Sequence, residues 1–93
     1  MKTAKQECSK EPFTFDWASF FELIELDPTV TPITSSVWEL TGDLVSLGED
    51  TTGANATILL GGGVAGTTAQ AMNTIEIAGG RYKDCRTLYI DVT

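Results

Sequence analysis

Residues 68–92 read TAQAMNTIEI-AGGR-YKDCRTLYIDV, and this stretch decides the fold. Its two long segments alternate in hydropathy with the period of a β-strand that has one buried face. The interruption Ala78-Gly79-Gly80-Arg81 supplies glycines where a hairpin turn needs positive φ. The stretch therefore predicts two strands, 68–77 and 82–92, joined by a tight turn. The residues of the last strand that are predicted to face inward are Leu88, Ile90 and Val92.

Shorter strands are predicted upstream. Phe13 and Phe15 alternate with polar residues, and Pro12 stands at the strand start, where a missing N–H does least harm. In the next strand Trp38 shares a face with Ser36 and Leu40, which makes it the predicted buried tryptophan. The predicted upstream strands are residues 13–17, 35–40, 44–47 and 56–60, and the loops between them are 41–43, 48–53 and 61–66.

The segment Trp17–Leu26 has a different period. Trp17, Phe20, Phe21 and Ile24 follow the spacing of a helical stripe, and Asp16 stands where a helix N-cap would be. Prolines follow at once in Asp27-Pro28 and Thr31-Pro32, which limits any helix to one or two turns. The sequence therefore predicts a short helical turn inside a long connection between two strands.

Six to seven short strands with frequent turn signals are typical of a β-sandwich. Thr, Val and Ile, which favour a pleated surface, make up 25 of the 93 residues. We predict an all-β protein, an immunoglobulin-like β-sandwich of six to seven antiparallel strands over residues 12–93. Residues 1–11, polar and without a period, are predicted to form a flexible N-terminal arm. The predicted core is Phe15, Trp17, Trp38, Ile58, Leu60, Ile75, Leu88 and Ile90.

The composition argues against an enzyme and against a metal or cofactor site. The chain has no histidine and two cysteines, too few ligands for a structural zinc site and no imidazole base. Serine and threonine are plentiful, but no neighbouring group would activate them as nucleophiles. The glycine-rich loop 61–66 is followed by no lysine, so a tight turn is favoured over a phosphate-binding loop. The sequence therefore predicts no catalytic residue, no cofactor and no metal.

The charge excludes two classes of partner. The net charge is −7, and no Lys or Arg occurs between Lys10 and Arg81. Binding to nucleic acid or to an anionic membrane needs clustered cations, so neither is predicted. No segment has the pattern of a secretory signal or a membrane span, which indicates folding in a cytoplasm. In that compartment Cys8 and Cys85 are expected to be reduced, although a bridge between them stays open.

Two segments are candidates for partner contacts. The apolar residues of the long connection either close the core or form an exposed patch of the kind that marks an interface. The basic residues of the arm could meet an acidic face of a neighbouring copy. The candidate interface residues are Phe20, Phe21, Leu23, Ile24, Leu26, Lys2, Lys5 and Lys10.

Six short motifs stand out by their order and spacing: Phe15-Asp16-Trp17, Ser35-Ser36-Val37-Trp38, Ala56-Thr57-Ile58-Leu59-Leu60-Gly61-Gly62, Ala65-Gly66-Thr67, Asn73-Thr74-Ile75 and Ala78-Gly79-Gly80-Arg81. Taken together they resemble a family of small immunoglobulin-like structural proteins of tailed bacteriophages, the fibre–tail adaptor or tail proteins. The resemblance covers roughly residues 13–92. The connection from Phe20 to Pro32 departs from it by being longer and more apolar.

The resemblance implies a non-enzymatic virion subunit, assembled in the host cytoplasm and placed in the tail or neck. There it would join tail and fibre components through contacts with other virion proteins and with further copies of itself. Two alternatives stay open from the sequence, a capsid decoration protein and an immunoglobulin-like module that binds carbohydrate on the host surface.

Overall fold

The computed structural model describes residues 2–93. These residues form seven strands and one short helix. In chain order the elements are β1 (Lys2–Lys5), β2 (Glu11–Asp16), α1 (Ala18–Leu23), β3 (Ile33–Leu40), β4 (Leu44–Thr52), β5 (Asn55–Gly62), β6 (Thr68–Ile77) and β7 (Tyr82–Val92).

The strands form two sheets. Sheet A has the order β1-β7-β6-β3, and sheet B has the order β2-β5-β4. All pairs are antiparallel except β1 with β7, which is parallel. Buried side chains from both sheets form one core, so the predicted all-β class is confirmed. The core residues are Phe15, Trp17, Phe21, Ile33, Leu44, Ala56, Ile58, Leu60, Ala69, Ala71, Ile75, Ile77, Leu88, Ile90 and Val92.

The β6–β7 hairpin forms where the alternating sequence predicts it. Thr68 pairs with Asp91 and Ile77 with Tyr82, so the whole length of β6 lies against β7. Ala78, Gly79 and Gly80 all have positive φ in the turn between them. Because side chains alternate across a strand, Leu88, Ile90 and Val92 are buried while Tyr89 is exposed.

The N-terminal residues correct the prediction of a flexible arm. Lys2–Lys5 form β1, which pairs with Tyr89–Val92 of β7. Lys5 is 2% exposed, and its ammonium donates to the carbonyls of Gln6 at 2.8 Å and Gly62 at 2.9 Å. The prediction fails because Lys2–Lys5 has no hydrophobic alternation that would indicate a strand. The strand forms because the edge of β7 is free to pair with it. Met1 lies outside the described residues.

β4 corrects a second prediction. It continues to Thr52, through residues 48–52 that were assigned to a polar loop, and the turn to β5 is Gly53-Ala54. Only Leu44 of β4 is buried, and β4 is one of the two edge strands of sheet B. Edge strands commonly carry charged residues, and Glu49 and Asp50 make the second half of β4 resemble a loop in the sequence. The register with β5 shifts between Ser46 and Gly48, which marks a β-bulge.

The two tryptophans, both predicted to lie in the core, are not equally buried. Trp17 is fully buried, and its indole N–H donates to Asn73 Oδ1 at 3.0 Å. Trp38 is only partly buried and packs against the core, with its ring stacked on Phe15 at 5.5 Å between centroids. The other predicted core residues are all buried, and Trp38 alone of the predicted set is only partly buried.

Candidate partner-binding surfaces

The apolar connection mostly closes the core. Phe21 is 1% exposed, and Phe20, Ile24 and Leu26 are partly buried against the same cluster. Leu23 is the exception, at 78% exposure. A helix of six residues buries one face, so the stripe that begins at Trp17 points inward and leaves Leu23 outside. Phe21 therefore cannot be a surface contact, and its assignment to an interface is wrong.

A network of polar groups fixes this connection to the sheets. Asn73 is fully buried on β6; its amide donates to Ser36 Oγ at 2.9 Å and to the carbonyl of Val37 at 3.2 Å. Its Oδ1 accepts from the Trp17 indole, so one side chain links the start of α1 to β3 and β6. Because every buried polar atom of Asn73 has a partner, the network stabilises the core instead of costing desolvation energy.

Arg86 of β7 contacts the start of this connection from the protein surface. Its guanidinium lies 4.2 Å from the centre of the Trp17 ring, a cation–π distance. It also donates to the carbonyl of Asp16 at 2.8 Å and to Ser19 Oγ at 3.1 Å. The predicted cap Asp16 accepts from the N–H of Ala18 at 2.9 Å, while Trp17 occupies the N-cap position.

The three lysines assigned to the arm lie in different surroundings. Lys2 pairs with Asp91 at 3.2 Å, with both side chains well exposed. Hydrogen bonds from the Thr68 hydroxyl and from Lys2 lower the pKa of Asp91 below its ordinary value. Lys5 is buried among carbonyl oxygens and is not available to a partner. Lys10 is exposed in the connection to β2 and remains a candidate contact.

The outer face of sheet A has a shallow depression of about 550 Å³ that crosses β3, β6 and β7. Val37, Thr74 and Cys85 form one cross-strand row in it. Acidic and basic side chains surround the row, including Glu39 and Lys83. Cys85 and Cys8 are both free and exposed.

The outer face of sheet B carries a cluster of apolar side chains that we call the sheet B patch, made of Pro12, Val45, Leu47 and Leu59. Val45 and Leu47 are 50% and 46% exposed, Pro12 is exposed and Leu59 is partly buried. Gly61 lies beneath: a Cβ there would come within 2.8 Å of Leu47 Cδ1 and 3.5 Å of Val45 Cγ2. The absence of a side chain at Gly61 lets both residues lie flat on the sheet.

Two other kinds of site, a metal site and a membrane span, can be assessed within the described residues. Within residues 2–93, no group of three or more Cys, Asp and Glu side chains is arranged to hold a metal ion. In the same part of the chain, α1 is too short to cross a bilayer, and no other helix is present that could.

Comparison with known families decides what the chain is related to. The sequence model of the family described as podophage GP4 fiber-tail adaptor protein gp77 matches residues 5–91. The chain belongs to this family. The match confirms the resemblance to phage fibre–tail adaptors. No curated protein matches the chain significantly.

In this adaptor family member, the sheet B patch lies outside the interface residues predicted from the sequence. Its residues are far apart in the chain, and only the strand register brings them together. The sequence does contain a signal for the patch, because Val45 and Leu47 are two residues apart and so share a strand face, opposite to the face of Leu44. Any strand that buries Leu44 turns both of them outward.

Proposed function

We propose that the chain is a non-enzymatic subunit of a podophage virion that joins a fibre to the tail through protein–protein contacts. The observation that carries the proposal is the family match over residues 5–91, which spans β2 to β6 whole, all of β7 except Val92, and the last residue, Lys5, of β1. The match favours an adaptor over the two alternatives, capsid decoration and carbohydrate binding. It also supports a location in the virion tail.

The strand order supports an immunoglobulin-like sandwich as the scaffold of this adaptor. In immunoglobulin constant domains the second, fifth and fourth strands are neighbours in one sheet, and the third, sixth and seventh in the other. Sheet B has the order β2-β5-β4, and β3, β6 and β7 are neighbours in sheet A. The first strand differs, because β1 pairs with β7 and not with β2.

Two exposed carboxylates, Asp27 and Asp91, are favoured in their ionised form in the folded chain. A general acid or base at neutral pH usually has a pKa raised by burial or by a like charge. The shifts resolved here are in the opposite direction, at Asp27 and Asp91, and both groups are exposed on the surface. A threonine hydroxyl bonded to each carboxylate is the first cause of the lowered pKa: Thr29 at Asp27 and Thr68 at Asp91. These carboxylates are surface groups held ionised.

The test is complementation of a phage that lacks the gene for this chain. Mutant particles should have tails without fibres, and purified wild-type chain should restore fibre attachment, visible by electron microscopy of negatively stained particles. Fibres that attach normally in the absence of the chain would contradict the proposal. A chain that is recovered on heads and not on tails would favour decoration instead.

A further inference from the structure

Sheet B has an uncovered outer face whose side chains can be assigned from the register. Residues paired directly across antiparallel strands point to the same side. Leu59 pairs with Pro12 on one side and with Gly48 on the other, and Val45 pairs with Gly61. Leu47 is the extra residue of the bulge and lies over Gly61. The four apolar side chains of the sheet B patch are therefore contiguous at one end of this face.

The other end of the same face is acidic. Asp50 lies in the next row, beside Thr57 and Thr14, whose hydroxyls are 2.8 Å apart. Asp16 lies in the row after that, opposite Asn55. Asp50 and Asp16 are the carboxylates of this face, and the three strands of sheet B contain no Lys or Arg. The nearest cations are Lys10, immediately before β2 in the sequence, and Arg86 of β7, which donates to the carbonyl of Asp16 at 2.8 Å.

The edges of sheet B are poorly suited to adding another strand. Pro12 in β2 has no N–H to donate, and the bulge at Ser46–Gly48 interrupts the hydrogen-bonding edge of β4. Carboxylates at Glu49 and Asp50 further disfavour pairing along β4, because edge charges oppose strand addition. A partner of sheet B therefore meets its outer face and not its edges.

We propose that the sheet B patch and Asp50 together bind a different protein of the tail, through a segment that carries apolar side chains next to lysine or arginine. This inference rests on the proposed adaptor function and names the surface that performs it. A second copy of the chain is a poor occupant, because it would bring carboxylates against carboxylates and each copy has a net charge of −7. The apolar side chains supply the affinity, and the acidic end sets orientation and the rate of encounter.

The experiment uses purified particles that lack this chain, mixed with purified variants and separated from unbound chain by sedimentation. Leu47→Glu should reduce binding about tenfold or more, as expected for a central apolar contact. Val37→Glu is the matched control, since Val37 is 51% exposed on the outer face of sheet A, and it should bind as the wild type does. Circular dichroism of each variant checks the fold.

A second variant keeps the inference falsifiable if Leu47→Glu does not fold. Asp50→Lys should weaken binding and reduce its dependence on salt, whereas Glu39→Lys on sheet A should do neither. Zero-length carbodiimide crosslinking, which joins a carboxylate to an amine in contact, should link Asp50 to a lysine of a tail protein.

The outcomes separate this inference from the proposed function. If the wild-type chain does not bind the particles, the adaptor function fails and the inference fails with it. If the wild type binds and Leu47→Glu and Asp50→Lys bind equally well, the adaptor function stands and the sheet B surface is wrong. If the free chain forms a dimer and Leu47→Glu dissociates it, the face binds a second copy. The proposal of a basic partner is then wrong.

Discussion

At the scale of single residues, Asn73 is the polar side chain on which the core depends. It is fully buried, and its amide group bonds to Trp17, Ser36 and Val37. Asn73→Ala removes the acceptor of the buried indole N–H, so we expect a loss of about 1–3 kcal/mol in the free energy of unfolding. Urea unfolding followed by tryptophan fluorescence measures it.

The exposed Asn55 provides the control for that substitution. Asn55→Ala should change the free energy of unfolding by less than about 0.5 kcal/mol, as is usual for surface positions. Equal effects at the two positions would show that the buried network contributes nothing specific.

Asp91 gives a pH dependence whose sign follows from its environment. Its pKa is lowered from 3.8 by the Thr68 hydroxyl and by Lys2, so the ionised carboxylate is favoured in the folded state. Its contribution to stability is present above the pKa of the unfolded chain and is lost as the pH falls through the lowered folded value. Asp91→Asn should therefore melt slightly below the wild type at neutral pH, and the difference should vanish in acid.

Thermal melts of both proteins across this pH range test the prediction. Lys2→Met should have the smaller effect, because the Thr68 hydroxyl is the larger cause of the shift. A difference between wild type and Asp91→Asn that grows in acid would have the wrong sign.

At the scale of elements, α1 contains a matched pair of apolar residues in opposite surroundings. Phe21 is buried and Leu23 is 78% exposed, two residues apart in one helix. Phe21→Ala should cost about 3–5 kcal/mol by removing a buried ring, and Leu23→Ala no more than about 0.5 kcal/mol. Urea midpoints of the two variants decide this, and a stable Phe21→Ala would place the ring outside the core.

The elements also show what the sequence alone can predict. The β6–β7 hairpin was predicted to the residue because alternation and turn glycines are local signals. The strand β1 was not, because it pairs with residues at the far end of the sequence. The second half of β4 was not, because its polar residues carry no hydrophobic alternation, although it pairs locally with β5. The partial exposure of Trp38 was not predicted either, since both tryptophans have inward positions and only the packing of α1 decides that Trp17 is the one fully buried. The sheet B patch likewise needs the register of three strands.

At the scale of the whole molecule, β1 ties the two ends of the chain together. Thr93 N–H donates to the carbonyl of Lys5 at 2.8 Å, and Glu7 N–H donates to the carbonyl of Thr93 at 2.8 Å. Deleting residues 1–5 should therefore destabilise the protein by about 2–4 kcal/mol, since a short ladder and the buried Lys5 are lost and each hydrogen bond contributes about 1 kcal/mol. Lys2→Ala, at an exposed ion pair, is the control and should have little effect. Equal melting temperatures for the deletion variant and the full chain would indicate that residues 1–5 form a flexible arm, as predicted from the sequence.

The parallel alignment of β1 with β7 has a mechanical consequence. Lys2 lies beside Tyr89 and Lys5 beside Val92, so tension between the ends of the chain slides the two strands lengthwise past each other. In this shear geometry the hydrogen bonds share the load, whereas a hairpin pulled open at its ends loses them one at a time. We expect optical-tweezer pulling through the chain ends to need a higher rupture force than pulling between Thr67 and Thr93, which opens β6 from β7. A protein pulled in this direction resists extension through the shared hydrogen bonds between β1 and β7, without needing a larger hydrophobic core.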